Sequence, residues 1–269
     1  MAYAGIDVGG KTIKVVILGD GKILAQTLVL TGREKERIIQ EAFDAALKKA
    51  GLSRSDIGRV VATGVGRKRV SFANDDITMV NADSRGIVWL YPSVRTVIDV
   101  GAEEGRAIRC DEKGKVKDFA VNEKCAAGAG MFAEAMARAL EIPLEEMGKL
   151  SLKSNAKIEM NAQCAVFGES EVVSLIHRKV PKADIVHAIH DAMAGRIGSL
   201  AATIELQKDL ALIGGMAKNV GFVDALKRNL GMELLIPQEP EFVGALGAAV
   251  IAASGAPVEE VKGKTVSAQ

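Results

Sequence analysis

Two segments of the chain, 5–10 and 97–102, carry nearly the same pattern of residues. In each, an apolar run leads to one aspartate, Asp7 or Asp99, which small residues follow. Small residues let backbone N–H groups approach phosphate oxygens closely, and an aspartate at the end of a buried strand can hold Mg²⁺ through water. One such loop alone favours a simple hairpin turn. Two of them, spaced like domain halves, favour phosphate binding.

Each of these segments is followed by a charged hairpin, with turns at 19–22 and 111–114 whose Asp-Gly and Lys-Gly pairs supply positive φ angles. A repeated strand, Asp-Gly loop and hairpin is typical of a two-lobed nucleotide-binding protein in which two loops hold one phosphate chain. We therefore predict that the first loop binds nucleotide and metal through Asp7, Gly9, Gly10, Lys11, Thr12 and Lys14. For the second loop we predict the same role for Asp99, Gly101, Ala102 and Glu104, with Asp7, Asp99 and Glu104 as the catalytic residues.

Other glycine-rich segments are further candidates for nucleotide contacts. Gly128 and Gly130 open a predicted helix, where N–H groups and the helix dipole favour an anion. Gly214 and Gly215 follow a predicted strand, a usual place for backbone to meet a nucleoside, and Lys218 follows in the same segment. The glycines of segment 244–247 lie in a helical pattern among alanines, which indicates close helix packing rather than binding.

Composition limits the classes of function. The chain has 269 residues, 48% of them hydrophobic and 26% charged, which suits two lobes of a globular protein. A net charge of +1 and an aromatic content of 4% argue against a nucleic-acid or anionic-membrane surface. There is no apolar run of about 18 residues and no signal peptide, so we expect a soluble, cytoplasmic protein.

The hydrophobic pattern alternates between strands and amphipathic helices, which predicts an α/β fold with a duplicated strand–hairpin–helix core. Helix 34–50 shows the clearest period, and we also predict a helix over 66–72 and a strand over 77–80. The predicted first lobe is 1–95 with a returning helix at 243–256. The second lobe is 96–242, and 257–269 is a loose tail.

Two of the three cysteines stand just before predicted helices. A helix N-terminus favours a thiolate or an anionic metal cluster at Cys125 and Cys164. Two cysteines cannot complete a four-thiolate site, but two from each of two chains can, on a dimer axis. From spacing alone, buried core cysteines are the simpler interpretation. Cys110, in a hairpin strand, is predicted to be structural.

The segments around these cysteines, 122–132 and 164–173, and segment 213–221 resemble one family. It comprises the ATPase activators of 2-hydroxyacyl-CoA dehydratases and the ATP-hydrolysing subunits of benzoyl-CoA reductases, within the actin, sugar-kinase and Hsp70 superfamily. The resemblance implies a two-lobed actin-like (ribonuclease H-like) ATPase fold that binds ATP and Mg²⁺. It also implies that Cys125 and Cys164 bind a [4Fe–4S] cluster shared by two subunits. The implied partners are a related ATPase subunit or a second copy, a ferredoxin-like donor and catalytic iron–sulfur subunits.

Within the family, segments 85–92 and 105–116 are similar to benzoyl-CoA reductase subunits. Segment 101–104 reads Gly-Ala-Glu-Glu, where the activators usually carry Gly-Gly-Gln-Asp. This favours an electron-transferring ATPase subunit of a benzoyl-CoA-reductase-type enzyme, with a dehydratase activator as the alternative. Two further alternatives are a sugar-type kinase, with Asp83 as its catalytic aspartate, and a non-redox ATP-dependent switch or assembly protein.

Overall fold

The computed structural model describes residues 1–122, 129–160, 165–255 and 264–265. Its strands are β1 (Ala2–Val8), β2 (Thr12–Gly19), β3 (Lys22–Leu30), β4 (Ile57–Thr63), β5 (Asp75–Asp76), β6 (Thr96–Val100), β7 (Gly105–Cys110), β8 (Val116–Asn122), β9 (Leu210–Ile213) and β10 (Lys264–Thr265). Its helices are α1 (Lys35–Ala50), α2 (Met79–Leu90), α3 (Gly130–Ala139), α4 (Leu144–Ser151), α5 (Ala165–His177), α6 (Lys182–Ala201), α7 (Val220–Leu230) and α8 (Val243–Ser254).

The strands form two five-stranded sheets with matching connections. The first has the order β3-β2-β1-β4-β5, and the second β10-β8-β7-β6-β9. In the first, β1 pairs antiparallel with β2 and parallel with β4; in the second, β6 pairs parallel with β9. The carboxyl ends of β1 and β4, and likewise of β6 and β9, therefore lie side by side. These are the edges at which ligands bind in open α/β sheets. The α/β fold with a duplicated core is confirmed.

The chain divides into two compact units. The first contains Met1–Arg95, Arg109–Lys117 and the segment that begins at Glu241; the second contains Thr96–Ile108 and Asp118–Pro240. The tip of the second hairpin, 109–117, belongs to the first unit because it packs on α2, where the Ser84 hydroxyl donates to the Gly114 carbonyl at 2.9 Å. Apart from β10, the tail predicted over 257–269 lies outside the described residues. None of the helices in the described part of the chain is long and apolar enough to cross a membrane.

Helix α1 covers one face of the first sheet with the side chains that the sequence period predicts. Ile39, Ala42, Phe43, Ala46 and Leu47 are buried in one cluster with the inner residues of β1 and β2, and Ile38 packs at its margin. This spacing of i, i+3, i+4 and i+7 places all of them on one side of a helix. The prediction for this element is confirmed.

Two predictions of local structure are wrong. Segment 66–72 contains only a single turn of 3-10 helix, Arg67–Arg69, and the strand expected at 77–80 is instead the short β5 followed by α2. Arg67 and Lys68 both form ion pairs with Asp76, which connect the 3-10 turn to strand β5. Apolar residues in runs this short do not distinguish a strand from the start of a buried helix.

The other face of the first sheet is covered by α8, which packs against α2 with almost no space between the backbones. A Cβ built on Gly247 would lie 1.7 Å from the Ala82 carbonyl oxygen, and one on Gly86 would lie 2.1 Å from that of Val243. On the sheet side, a Cβ on Gly5 would lie 1.9 Å from the Ala245 oxygen. Gly247 of α8 is thus a packing residue, as are Gly86 and Gly5 opposite this helix, because only a hydrogen atom fits at these positions.

We expect Gly247→Ala to destabilise the protein by at least about 2–3 kcal/mol, because the obstacle is backbone, which cannot rotate away. The matched control is Gly195→Ala in α6, where a Cβ meets nothing within 4 Å. That change should be neutral or stabilise by up to about 1 kcal/mol through helix propensity. Urea denaturation followed by circular dichroism measures both, and equal midpoints for the two variants would contradict the packing argument.

Candidate functional site

The first Asp-Gly loop is a tight turn between β1 and β2. The Gly9 N–H donates to the Thr12 carbonyl at 3.0 Å and closes the turn. Thr31 fixes its outer side, since the Thr31 N–H donates to the Lys11 carbonyl at 2.8 Å and its hydroxyl to the Gly9 carbonyl at 3.1 Å. Gly10 and Lys11 are exposed at the tip. Hydrogen bonds from Thr31 therefore hold the backbone of the loop, while its tip is exposed to solvent.

Asp7 lies at the base of this loop and has one charged partner. The Lys14 ammonium contacts Asp7 Oδ2 at 2.9 Å across the hairpin. The other oxygen, Oδ1, is buried and has no hydrogen-bond partner among the residues that the structure describes. A buried carboxylate oxygen without a partner is costly unless a ligand satisfies it. Carboxylate oxygen is also what Mg²⁺ or its bound water prefers, so the residues present fit a hydrated Mg²⁺ at Asp7.

The neighbouring strand β4 completes this part of the site with residues that the sequence analysis did not single out. Thr63 stands opposite Asp7 in the parallel ladder and is fully buried. Within the described part of the chain its hydroxyl has no hydrogen-bond partner. Gly64 follows with φ of +91°, and a Cβ there would lie 2.5 Å from Asp7 Oδ1. The Gly66 N–H donates to the Val8 carbonyl at 2.9 Å. The available signal was the Gly-Val-Gly sequence directly after a predicted strand.

The second Asp-Gly loop repeats the turn of the first. The Gly101 N–H donates to the Glu104 carbonyl at 3.0 Å, as the Gly9 N–H does to Thr12. Asp99 is buried at the end of β6, and Gly214, with φ of +85°, follows the parallel strand β9. A Cβ on Gly214 would lie 2.4 Å from Asp99 Oδ1, matching Gly64 and Asp7. Both aspartates therefore need a glycine on the adjacent parallel strand.

The two loops differ in charge. Arg106 stands seven residues after Asp99, as Lys14 stands seven after Asp7. Its guanidinium pairs with Asp99 through Nη1 and with Glu104 through Nη2, the latter at 2.5 Å. The basic side chain of the second loop thus forms ion pairs with two carboxylates, whereas that of the first loop pairs with one. The planar fork of arginine suits this bridging, which a lysine ammonium achieves less well.

Helix α3 begins against the second loop. The Gly130 N–H donates to the Gly101 carbonyl at 2.9 Å, and the Met131 N–H donates to the Ala102 carbonyl at 2.8 Å. Gly130 is thus bound to the protein's own loop, and its predicted contact with nucleotide stays a prediction. Gly128, Cys125 and Cys164 lie outside the described residues. Cys110 is buried on β7, and burial raises the pKa of its thiol to about 11, which suits a structural thiol.

Gly214, Gly215 and Lys218 form the turn between β9 and α7. Nothing lies within 4 Å of a Cβ built on Gly215, so the backbone is accessible there, and Lys218 pairs with Glu239 at 3.4 Å. Asn219 caps α7, since its Oδ1 accepts from the N–H groups of the first turn, and its Nδ2 lies 3.2 Å from His190 Nε2. Burial lowers the pKa of His190 to about 3, so a neutral imidazole can accept this hydrogen bond.

Asp83, the aspartate of the kinase alternative, is buried on α2 near the first loop. A Cβ built on Gly244 at the start of α8 would lie 3.0 Å from Asp83 Oδ1 and 4.0 Å from Asp7 Oδ2. Asp83 is only 5% exposed. A catalytic base must reach a substrate hydroxyl, and so deep a position does not favour that role.

Helices α3 and α5 pack together at their first turns. A Cβ on Gly168 would lie 2.9 and 3.0 Å from two atoms of the fully buried Phe132 ring. Because Phe132 and Gly168 lie in the first turns of α3 and α5, the chain enters both helices from neighbouring points. The outer side of α5 carries exposed large hydrophobic residues among polar ones, with Val166 68% and Phe167 67% exposed. Val173, Ile176 and, on α3, Met131 are also exposed large hydrophobic residues.

Several known proteins are similar to this chain in sequence and fold. The chain is 41% identical to the activator of lactoyl-CoA dehydratase of Anaerotignum propionicum, over 94% of this chain and 97% of the relative. It is 32% identical to one of the benzoyl-CoA reductase subunits of Thauera aromatica, over 92% of this chain and 91% of the relative. The solved activator of the 2-hydroxyisocaproyl-CoA dehydratase from Clostridium difficile, with bound ADPNP, matches with a TM-score of 0.88 and 34% identity, covering 97% of this chain and all of that one.

Two Asp-Gly loops on matching sheets define an actin-like ATPase, and the structural similarity confirms that fold. The model of the BadF/BadG/BcrA/BcrD ATPase family matches residues 4–252. The chain belongs to this family, as the cysteine and Gly-Gly segments indicate.

Proposed function

We propose that this chain is an ATP-hydrolysing activator that delivers electrons to a 2-hydroxyacyl-CoA dehydratase. The observation that carries the proposal is the connection of the second Asp-Gly loop to α3 and of α3 to α5. In the sequence, these helices directly follow the segments of Cys125 and Cys164, and loop 101–104, α3 and α5 are packed against one another.

The relatives support one of the two branches of the family more than the other. Local sequence similarity favours a benzoyl-CoA-reductase-type subunit, but over the whole chain the identity to a dehydratase activator is higher, 41% against 32%. Similarities in segments 85–92 and 105–116 are local, whereas these identities extend over nearly the whole chain. The activator alternative therefore becomes the main proposal, and the reductase subunit becomes the second.

Contacts with ATP and Mg²⁺ are assigned to each Asp-Gly loop in turn. Asp7 would hold hydrated Mg²⁺ through its unpartnered oxygen, and Lys14 keeps that carboxylate oriented. Bound Mg²⁺ would neutralise phosphate charge. The exposed tip of the first loop, with Gly10, Lys11 and Thr12, would contact the phosphates. Gly214, Gly215 and Lys218 would approach the nucleoside from the open side of their turn.

A [4Fe–4S] cluster is assigned to Cys125 and Cys164 by the family resemblance, with two cysteines from each of two subunits. A cluster held there would supply one-electron transfer. The adjoining first turns of α3 and α5 would direct two helix N-termini toward an anionic group, which their dipoles stabilise. The exposed large hydrophobic residues of α5 support a subunit contact, since exposed apolar groups of this kind mark interaction sites. A ferredoxin-like donor and the catalytic iron–sulfur component complete the proposed system.

Anaerobic purification tests this function. We expect a brown protein that contains iron and sulfide, hydrolyses ATP, and activates a purified 2-hydroxyacyl-CoA dehydratase only with ATP and a reductant. Reduction of benzoyl-CoA with reductase catalytic subunits, without dehydratase activation, would favour the second proposal. A colourless protein that phosphorylates a sugar would contradict both.

A further inference from the structure

The turn between β9 and α7 is held at both ends and is open between them. At its start, the Gly214 N–H donates to the Pro240 carbonyl at 3.1 Å. At its end, the Asn219 N–H donates to the Met216 carbonyl at 3.0 Å. The backbone between these points is open at Gly215, where a Cβ would meet nothing within 4 Å. The position of this open backbone therefore depends on how the two ends are fixed.

The Asn219 side chain fixes the second end and has one defined orientation. Its Oδ1 accepts from the Gly221 and Phe222 N–H groups, each at 3.1 Å, and so caps α7. The amide nitrogen therefore lies on the other side, where His190 Nε2 is 3.2 Å away. A Cβ on Gly148 of α4 would lie 2.8 Å from the Asn219 oxygen, so the neighbouring helix leaves no room for the amide to rotate out.

This geometry determines where His190 carries its proton. An amide nitrogen can only donate, so Nε2 must accept and the imidazole proton lies on Nδ1. Burial lowers the pKa of His190 to about 3, which keeps the ring neutral at neutral pH. His190 is fully buried, and a Cβ on Gly221 would lie 2.7 Å from its Nδ1. The ring therefore lies directly against the first turn of α7.

A histidine is not the residue that stability alone would favour at this position. Among the described residues, His190 Nδ1 has no hydrogen-bond partner, and a buried N–H without one is destabilising. His187, one turn earlier on α6, differs in this respect. Its Nδ1 lies 3.1 Å from the Ser151 carbonyl oxygen and its Nε2 lies 3.5 Å from Asp191 Oδ2. Within the described chain, the hydrogen bond that His190 does make is the one with Asn219.

We propose that His190 is a positioning residue for nucleoside binding, because it orients the Asn219 amide and thereby the turn between β9 and α7. The contacts run from His190 Nε2 to the Asn219 amide and from there to the first N–H groups of α7. The inference rests on the proposed function in one respect, that the backbone of Gly214 and Gly215 meets the nucleoside. Being fully buried, His190 acts through Asn219 and not by touching the nucleotide.

Calorimetric titration of the purified protein with ADP and with inorganic tripolyphosphate, both with Mg²⁺, tests the proposal. His190→Leu removes the acceptor and should weaken ADP binding at least about tenfold. Tripolyphosphate binding should stay within about twofold, because the phosphates are assigned to other loops. His190→Gln places an amide oxygen near the position of Nε2, which can again accept from Asn219, so ADP affinity should return to within about threefold of the wild type.

His187→Leu is the matched control, since it removes a buried imidazole of the same helix that does not contact Asn219. It should lower the thermal midpoint but leave ADP affinity within about twofold of the wild type.

Asn219→Ser breaks the same hydrogen bond from the other side. A serine hydroxyl can still cap α7 but is too short to reach His190. We expect the same loss of ADP affinity as in His190→Leu. The double variant should bind ADP no more weakly than Asn219→Ser alone, because both changes remove one shared interaction. Circular dichroism checks that each variant is folded, and Asn219→Ser decides the matter if His190→Leu does not fold.

Wild-type ADP affinity in a folded His190→Leu or Asn219→Ser protein would overturn the proposal and leave the proposed function standing. An equal loss of tripolyphosphate binding would also overturn it, as would a His190→Gln variant that binds ADP as weakly as His190→Leu. If the wild type does not bind tripolyphosphate, the comparison of the glutamine and leucine variants decides. A wild type that does not bind ADP would overturn the proposed function together with this inference.

Discussion

Asp7→Asn is expected to lower ATP turnover at least about tenfold, with the protein still folded. The change is isosteric, but it removes the charge that pairs with Lys14 and places an amide where the unpartnered carboxylate oxygen stands. An amide binds a divalent cation or its bound water more weakly than a carboxylate does. Steady-state ATPase assays across a range of Mg²⁺ concentrations measure the loss, which should appear partly as weaker Mg²⁺ activation.

Asp44→Asn is the matched control, since Asp44 is an exposed residue of α1 that pairs with Arg54. The ATP turnover of the Asp44→Asn variant should equal that of the wild type. Asp99→Asn tests the second loop separately from the first. In that variant Arg106 can still pair with Glu104, and the hydrogen bond from the Gly101 N–H to the Glu104 carbonyl can still close the turn. Wild-type turnover and Mg²⁺ dependence in a folded Asp7→Asn protein would refute the assignment of the metal to the first loop.

Cys125→Ser and Cys164→Ser should each lose the iron and the visible absorption of the protein while nucleotide affinity stays within about twofold of the wild type. Each variant would leave only two of four thiolates for a cluster shared by two subunits, and serine is a poor replacement for thiolate at iron. Nucleotide binding should persist because the residues assigned to it do not include these cysteines. Iron and sulfide analysis, absorption spectra and ADP titration measure the three quantities.

Cys110→Ala provides the internal comparison. Cys110 is 2% exposed, and the raised pKa of its thiol, about 11, leaves it protonated at neutral pH. Alanine avoids burying an unpaired hydroxyl, which serine would introduce. This variant should retain full iron. Full iron in both the Cys125 and the Cys164 variants would remove the electron-transfer proposal and return the kinase alternative to consideration.

The two halves of the duplicated unit have diverged in charge while keeping their geometry. Each has an aspartate, a turn closed three residues later, a basic residue seven positions on, and a positive-φ glycine on the next parallel strand. Among the described residues, the first half leaves one aspartate oxygen without a hydrogen-bond partner, whereas the second binds two carboxylates to one arginine. This difference supports a metal role for the first loop.

Elements whose residue pattern is local could be predicted from the sequence. The two Asp-Gly loops, the stripe of α1 and the packing glycines of α8 each lie within one continuous segment, and the structure places them as expected. The local pattern did not predict the secondary structure at 66–72 and 77–80. A few apolar residues there are compatible with more than one conformation, and tertiary packing determines which one forms.

The residues that complete the candidate site depend on how distant segments pack together. Gly64 reaches Asp7 because β4 pairs with β1 in parallel, and no spacing along the chain encodes that register. Arg106 was visible as a residue, but its two partners depend on how the hairpin folds over the turn. Gly130 was predicted to contact a ligand, yet its N–H is used by the loop that precedes it in sequence by 29 residues. Contacts between distant segments depend on how whole elements pack, and sequence periodicity describes only one element at a time.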